Sequence, residues 1–339
     1  MSLLSRLTPA LVAAPLLLAA ACGSTGTSST TSEASTKPAE KTAAPAGNAE
    51  SGAAKINTSP EQNRIKADKV DAIAAQVPEA IRTKGELVVA FSGEGAPPLA
   101  FLADDDSTVI GVETDLAHIV ADTLGLKVKE EITSWENLFL GVKSGKYDVA
   151  FNNVTVTEER KDIYDFATYR VDQLAWQTAK NSPITEIKQP SDIAGRRVAV
   201  GSGTNQEKIL LDWDAQNQKA GLKPAQIQNY QKYVDALLSL KSGRIEAYIG
   251  PNPSLAYQNA VGGDTKIVGT VSGAGPDLQG LIAAMTKKDS GLVKPLNAAF
   301  NELIKNGKYG EVLERWNLSN EALTESQINP PGLPRQPAK

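Results

Sequence analysis

Val142-Lys143-Ser144-Gly145-Lys146-Tyr147-Asp148-Val149-Ala150-Phe151 decides the fold, because the chain repeats its design at Leu240-Lys241-Ser242-Gly243-Arg244-Ile245-Glu246-Ala247-Tyr248-Ile249. In each copy the spacing predicts a helix that ends at Lys-Ser-Gly, with Gly as the left-handed cap, followed at once by a buried strand. A second pair lies upstream: Val88-Val89-Ala90-Phe91-Ser92-Gly93 resembles Val198-Ala199-Val200-Gly201-Ser202-Gly203, each an apolar strand running into a small-residue loop. Helix, Gly, strand is also the ordinary grammar of any α/β protein, so the echo suggests duplication without proving it. The continuous apolar run Leu87 to Phe91 and the helical face Leu116, Ile119, Val120 and Leu124 agree with it, and together they predict two α/β lobes. Ligands on such sheets sit beyond the carboxyl ends of the strands. The loops after Phe91, Phe151, Val200 and Ile249 are therefore expected to face one another across a cleft that hinged lobes can close. The crossovers between lobes are expected near Arg170 to Leu174 and Pro276 to Gly280.

Outward from this body the composition changes. Arg6 precedes an apolar stretch, Leu11 to Ala21, too short to span a bilayer and followed by small residues, which is the layout of a secretory signal over residues 1–22. Ala19-Ala20-Ala21-Cys22-Gly23-Ser24 resembles a bacterial lipobox, in which Cys22 takes a diacylglyceryl thioether. The other reading is an ordinary signal peptide with a bystander Cys. Residues 23–60 are Ser, Thr, Ala, Gly and Pro with scattered charge, and such a segment buries too little apolar surface to offset its ordering entropy, so it is expected to be a disordered tether. Residues 61–83 place Ile65, Val70, Ile73, Val77 and Ala80 or Ile81 near helical spacing and predict an N-terminal helix interrupted or kinked near Pro78. Residues 320–339 show no periodicity and are expected to be a flexible tail.

The whole chain of 339 residues is long enough to bury a large core unaided. With 35 basic against 39 acidic residues it offers no charge field for nucleic acid. One Cys and one His, Cys22 and His118, leave no zinc site, disulfide or Cys/His pair within the chain, so neither a metal nor a cofactor is expected. His118 falls in the first predicted helix, away from the strand ends, and reads as structural.

Several short pieces, in this order and spacing, resemble the family 3 extracellular solute-binding proteins, the polar amino acid-binding components of ABC importers. They are Pro98-Leu99-Ala100-Phe101, Gly111-Val112-Glu113-Thr114-Asp115-Leu116, Thr155-Val156-Thr157-Glu158-Glu159-Arg160-Lys161 with Tyr164-Asp165-Phe166-Ala167-Thr168-Tyr169, Gly203-Thr204, and Gly307-Lys308-Tyr309-Gly310 leading to Trp316. The resemblance runs from about Gly85 to Asn317. It implies a two-lobed, type II periplasmic-binding-protein-like α/β fold, with lobe 1 at 84–171 and 279–319 and lobe 2 at 172–278. It also implies a non-enzymatic monomer, exported, held to the outer face of the cell membrane through Cys22, that passes a small polar solute to an ABC transporter permease.

The resemblance further implies site residues. Arg160 falls where the family grips the ligand's α-carboxylate, a task that suits a planar guanidinium; a solvated Arg pairing with Glu158 or Asp162 is the plainer reading. Asn153 and Thr155 fall where the family offers donors to the same ligand, and Trp135 where an aromatic packs on it, although a core Trp looks the same in sequence. Thr204-Asn205-Gln206-Glu207 has the form of a capping box, and the N-H groups of Thr204, Asn205 and Gln206 at a helix start can complete an anion cradle or simply cap the helix. The chain departs from the family at the carboxylates that pair with an α-ammonium group. One position aligns with Gly93 or Glu94, and the other with Pro251, which brings neither charge nor N-H. Either Glu94 pairs with the ammonium group, helped by Asn252, or the ligand is not a standard α-amino acid. Two competing readings remain: a dehydratase-like enzyme on the same scaffold, with Glu94 as acid or base, and a ligand-sensing ectodomain.

Overall fold

A computed structural model of the chain describes residues 56–335. The expected signal peptide, Cys22 and most of the expected tether lie outside these residues. Two short helices, α1 (Asp71–Ala74) and α2 (Glu79–Lys84), open the described chain, which then enters β1 (Glu86–Ser92). A small hairpin of β2 (Phe101–Leu102) and β3 (Val109–Ile110) leads to α3 (Val112–Leu124), β4 (Lys127–Thr133), α4 (Trp135–Ser144) and β5 (Val149–Ala150). The sixteen-residue strand β6 (Tyr164–Ala179) follows, then β7 (Arg197–Gly201), α5 (Asn205–Lys219), β8 (Gln226–Tyr230), α6 (Tyr233–Lys241), β9 (Ala247–Pro251), α7 (Asn252–Gly262) and β10 (Thr265–Ser272). The chain returns through β11 (Gly280–Lys287), α8 (Val293–Lys305) and α9 (Lys308–Arg315).

Strand order explains the sequence echo. In lobe 1, β1 lies between β4 and β5, all parallel, and β11 closes the set antiparallel to β5. In lobe 2, β7 lies between β8 and β9, all parallel, and β6 closes the set antiparallel to β9. β6 also pairs with β11 over Tyr164 to Asp172 and with β10 over Gln173 to Ala179, so one strand serves both lobes.

Apolar runs fit this arrangement because each central strand is covered on both faces. Leu87, Val89 and Phe91 enter a core with Leu116, Ile119 and Val120 of α3 and Leu296 and Phe300 of α8. Val88 and Ala90 point the other way, onto Leu138 and Val142 of α4. Lobe 2 repeats the pattern, with Val198 and Val200 packed against Ile209, Leu210 and Trp213 of α5, and Ala199 against Ala236 and Leu240 of α6. The two Lys-Ser-Gly turns hold Gly145 and Gly243 at φ 81° and 72°, the left-handed conformation that lets a helix stop and a strand begin.

Two segments differ from the sequence reading. Residues 61–70 form no helix, because several of their donors are drawn to polar groups of α3. Ala67 N donates to Asp122 Oδ2 (3.2 Å), Val70 N to Thr123 O (3.0 Å) and Arg64 Nε to Asp115 Oδ1 (3.1 Å). The segment expected to be a flexible tail is docked over residues 320–335. Asn329 Oδ1 accepts from Phe166 N (2.8 Å), Gln327 N donates to Thr168 Oγ1 (2.8 Å), and Leu333 pairs beside Thr157. Glu321 is buried against Arg170 of β6. Among the described residues no helix is long and apolar enough to cross a membrane.

Candidate functional site

The loops that leave β1, β5, β7 and β9 meet, and between them the lobes enclose a cavity of about 160 Å³. Lobe 1 contributes Glu94, Trp135, Asn152 and Asn153 to its wall; lobe 2 contributes Thr204, Asn205, Gln206, Tyr233, Tyr248, Pro251 and Ser254. Of the residues singled out in the sequence, Glu94, Trp135, Asn153, Thr204, Asn205 and Gln206 therefore share one cavity, and Arg160, Thr155 and Asn252 stand outside its wall.

Arg160 lies at the seam between the lobes, at the start of a short 3-10 turn spanning Arg160–Asp162. Its Nη1 donates to Thr155 O (2.9 Å) and its Nη2 reaches across to Gly203 O (3.4 Å). The guanidinium stacks 4.9 Å from the Phe139 ring and 5.5 Å from the Trp135 ring. Burial pulls its pKa down to about 10, against the pull of Asp172 and Tyr164, which still leaves it cationic at neutral pH. The alternative partners read from sequence go elsewhere. Glu158 pairs with Lys161, and Asp162 with Arg335.

Thr155 and Asn205 converge on a residue the sequence reading missed. Asp172, on β6, accepts from Thr155 Oγ1 (2.7 Å) and from Asn205 Nδ2 (3.1 Å), and the same amide donates to Gly273 O (2.9 Å). Burial pushes the Asp172 carboxyl upward, against Thr155, Arg170 and Asn205. Asn153 takes φ 51°, and its Oδ1 accepts from the buried Arg170, so the cavity wall is tied to the hinge strand. Asn252 Nδ2 contacts Gln173 Oε1 (3.4 Å) instead of the cavity.

On α5, Thr204 is the N-cap: its Oγ1 accepts from Glu207 N (3.2 Å), while Glu207 Oε2 accepts from Gly203 N (2.7 Å). The N-H groups of Asn205 and Gln206 follow in the first turn, where a helix has no acceptor of its own. Gln206 is buried, and its Oε1 has no hydrogen-bond partner. Tyr233 and Tyr248 stand with ring centroids 5.3 Å apart, and Tyr233 OH donates to Gln177 Oε1 (2.9 Å). Both tyrosines escaped the sequence reading. Their one signal was the scarcity of aromatics, which makes a Tyr beside a predicted cleft loop worth weighing.

Glu94 is the single charged side chain in the wall, half-exposed and 3.6 Å from Lys232 of lobe 2. Trp135 Nε1 to Gly203 O (3.4 Å), Ser254 Oγ to Ala96 O (3.0 Å) and a Lys208–Glu159 ion pair also join the lobes across the mouth. His118 sits away from this site, its Nε2 2.8 Å from Glu130 Oε1. The arrangement is a partly open, largely neutral and mostly apolar pocket that carries a few hydrogen-bonding groups, with a cation and a helix N-terminus at one side.

Comparisons with known proteins place the chain in a family. The chain is 29% identical over 237 residues to the L-cystine-binding protein TcyJ of Escherichia coli, covering 70% of this chain and 84% of that protein. It is 29% identical over 270 residues to the arginine-binding protein ArgT of Corynebacterium glutamicum, covering 78% and 85%. Among solved structures, an ancestral arginine-binding protein bound to arginine matches with a TM-score of 0.58 and 30% identity, over 68% of this chain and 98% of that one. An ArgBP mutant from T. maritima matches with a TM-score of 0.61 and 27% identity, over 70% and 98%. Residues 87–319, which form both lobes and every loop of the cavity, match the family model itself: the chain belongs to the bacterial extracellular solute-binding proteins, family 3.

Proposed function

We propose that the protein is the exported, lipid-anchored substrate-binding component of an ABC importer. In this reading it captures a small amino acid, or a close relative with a carboxylate, by closing its two lobes. The observation that carries the reading is the cavity enclosed between the lobes, with Arg160 at its seam beside the N-terminus of α5. Arg160 spends its donors there on two neutral carbonyl oxygens. A carboxylate makes a stronger, charge-assisted and two-pronged partner, so it displaces the long contact to Gly203 and draws the lobes together. The free N-H groups of Asn205 and Gln206 complete the cradle.

The wall also limits the rest of the solute. Glu94 supplies one carboxylate for an α-ammonium group, Pro251 supplies none, and no second acid remains for a cationic side chain. The relatives' names join cystine and arginine, which share only the amino-acid head group. This chain suits that head group with a neutral side chain among Tyr233, Tyr248 and Gln206.

The test is a thermal-shift screen of L-amino acids, amines and organic acids, followed by calorimetric titration of the stabilising compound. Arg160→Ala should weaken its binding by roughly 30-fold or more, the worth of charged hydrogen bonds of about 2 kcal/mol or above. Equal affinity in the variant and the parent would remove Arg160 from the site.

A further inference from the structure

We infer that residues 328–335 form a strap that holds the Arg160 turn in its ligand-binding position and links that turn to lobe 2. The inference rests on the reading of Arg160 as the carboxylate clamp. The strap lies beyond residues 87–319, the part of the chain that matches the family.

The turn is tied down along its outer side, residue by residue. Leu333 N donates to Val156 O (3.1 Å), and Glu158 N donates to Leu333 O (3.0 Å). Glu158 Oε1 accepts from Gly332 N (2.9 Å), Lys161 Nζ donates to Pro330 O (3.0 Å), and Asp162 accepts from Arg335 at 2.6 and 2.8 Å. Arg160 and Glu159 face the other lobe instead: Arg160 has its N-H on Thr157 Oγ1 (3.1 Å) and its guanidinium in the seam, and Glu159 pairs with Lys208. Upstream, Asn329 anchors the strap to β6 through Phe166 N and Asp165 Oδ1.

The side chain of Leu333 completes the link. Its backbone pairs with lobe 1, but the side chain is buried in the core of lobe 2, with Leu174 and Trp176. A turn with its outer face pinned, beside a residue wedged into the other lobe, cannot rotate Arg160 away without lifting the strap.

Gly332→Ala is the specific test. A Cβ there would stand 2.4 Å from Val156 O and 2.9 Å from Thr157 N, both backbone atoms, so the substitution pushes the strap off the turn while changing no residue of the site. Hydrogen exchange comes first because it needs no ligand. The amides of Glu158, Lys161, Asp162 and Ile163 should exchange roughly tenfold faster in the variant, in keeping with the loss of one or two hydrogen bonds. Unchanged exchange at Lys161 to Ile163 overturns the inference, whether or not any solute binds. Affinity is then measured for whichever of the twenty L-amino acids and L-cystine stabilises the parent. Gly332→Ala should weaken it about tenfold in the parent and add nothing in the Arg160→Ala background, because both changes act through one guanidinium. Losses that simply add, or no loss at all, overturn the inference. A parent that binds none of the panel defeats the functional reading and leaves the exchange result standing. Leu333→Ala, which keeps the backbone pairing and removes the wedge, is the second variant should Gly332→Ala fail to fold. It should speed exchange at the same amides, and unchanged exchange there again overturns the inference.

Discussion

Glu321→Gln should make the protein more stable at about pH 8, although it deletes a buried ion pair. Glu321 is 2% exposed; its Oε2 accepts from Arg170 Nη1 and its Oε1 has no partner. The same guanidinium already serves Glu113 Oε1 at 2.9 Å and Asn153 Oδ1. Burial pushes the Glu321 carboxyl from 4.5 up to about 7, with Arg170 pulling the other way and Asp172 and Glu113 adding repulsion. A carboxyl whose folded value lies above its unfolded one holds its proton more tightly in the native state. Its contribution to stability is therefore full below about pH 4.5 and is lost as the pH rises through about 7. At 1.36 kcal/mol per pKa unit that interval is worth ~3 kcal/mol. Gln keeps the shape and the acceptor for Arg170 and cannot ionise, so the variant should escape the loss. Urea unfolding followed by tryptophan fluorescence, at about pH 5 and about pH 8, measures it. The two proteins should be close at the lower pH and differ by ~3 kcal/mol in favour of Gln at the higher. A variant less stable than the parent at both would show that the Arg170–Glu321 pair is net stabilising and refute the reasoning.

Glu94→Gln should lower the affinity for the stabilising amino acid by about tenfold while leaving the melting temperature of the free protein nearly unchanged, since its exposed pair with Lys232 is worth about 1 kcal/mol or less. Unaltered affinity in a calorimetric titration would mean that no ammonium group meets Glu94. Cys22→Ser should release the protein from the membrane fraction into the medium or periplasm, read by fractionation and intact mass. Retention of the variant on membranes would exclude a lipid anchor at that position.

Much of the fold was legible because its determinants are local. Leu87 to Phe91 had to be covered on two faces, and the face of α3 carrying Leu116, Ile119, Val120 and Leu124 had to meet them. Gly145 and Gly243 announced where helices stop. Residues 61–70 misled because their apolar spacing suited a helix, while Arg64, Ala67 and Val70 were drawn out by partners about fifty residues away, on or just before α3. The tail misled for the same reason: Asn329, Leu333 and Glu321 find partners more than 140 residues upstream, which no window of sequence displays. In the site, the Thr204-Asn205-Gln206 start of α5 could be read from its capping pattern, whereas Trp135 was singled out only through the family resemblance. Tyr233 and Tyr248 come from separate elements that only the packing of α6 on lobe 2 brings together, and Asp172 meets Thr155 and Asn205 only because β6 serves both lobes.

The strand order sets the timetable of biogenesis. β11 is a middle strand of lobe 1, inserted between β5 and β6, yet it follows all of lobe 2 along the chain. A polypeptide emerging from its N-terminus can pair every strand of lobe 2 by about residue 272, with only Leu333 still to enter its core, while lobe 1 still holds an open slot with two unsatisfied edges. Any delay before residues 280–287 arrive leaves that slot free to take up a strand from a neighbouring molecule.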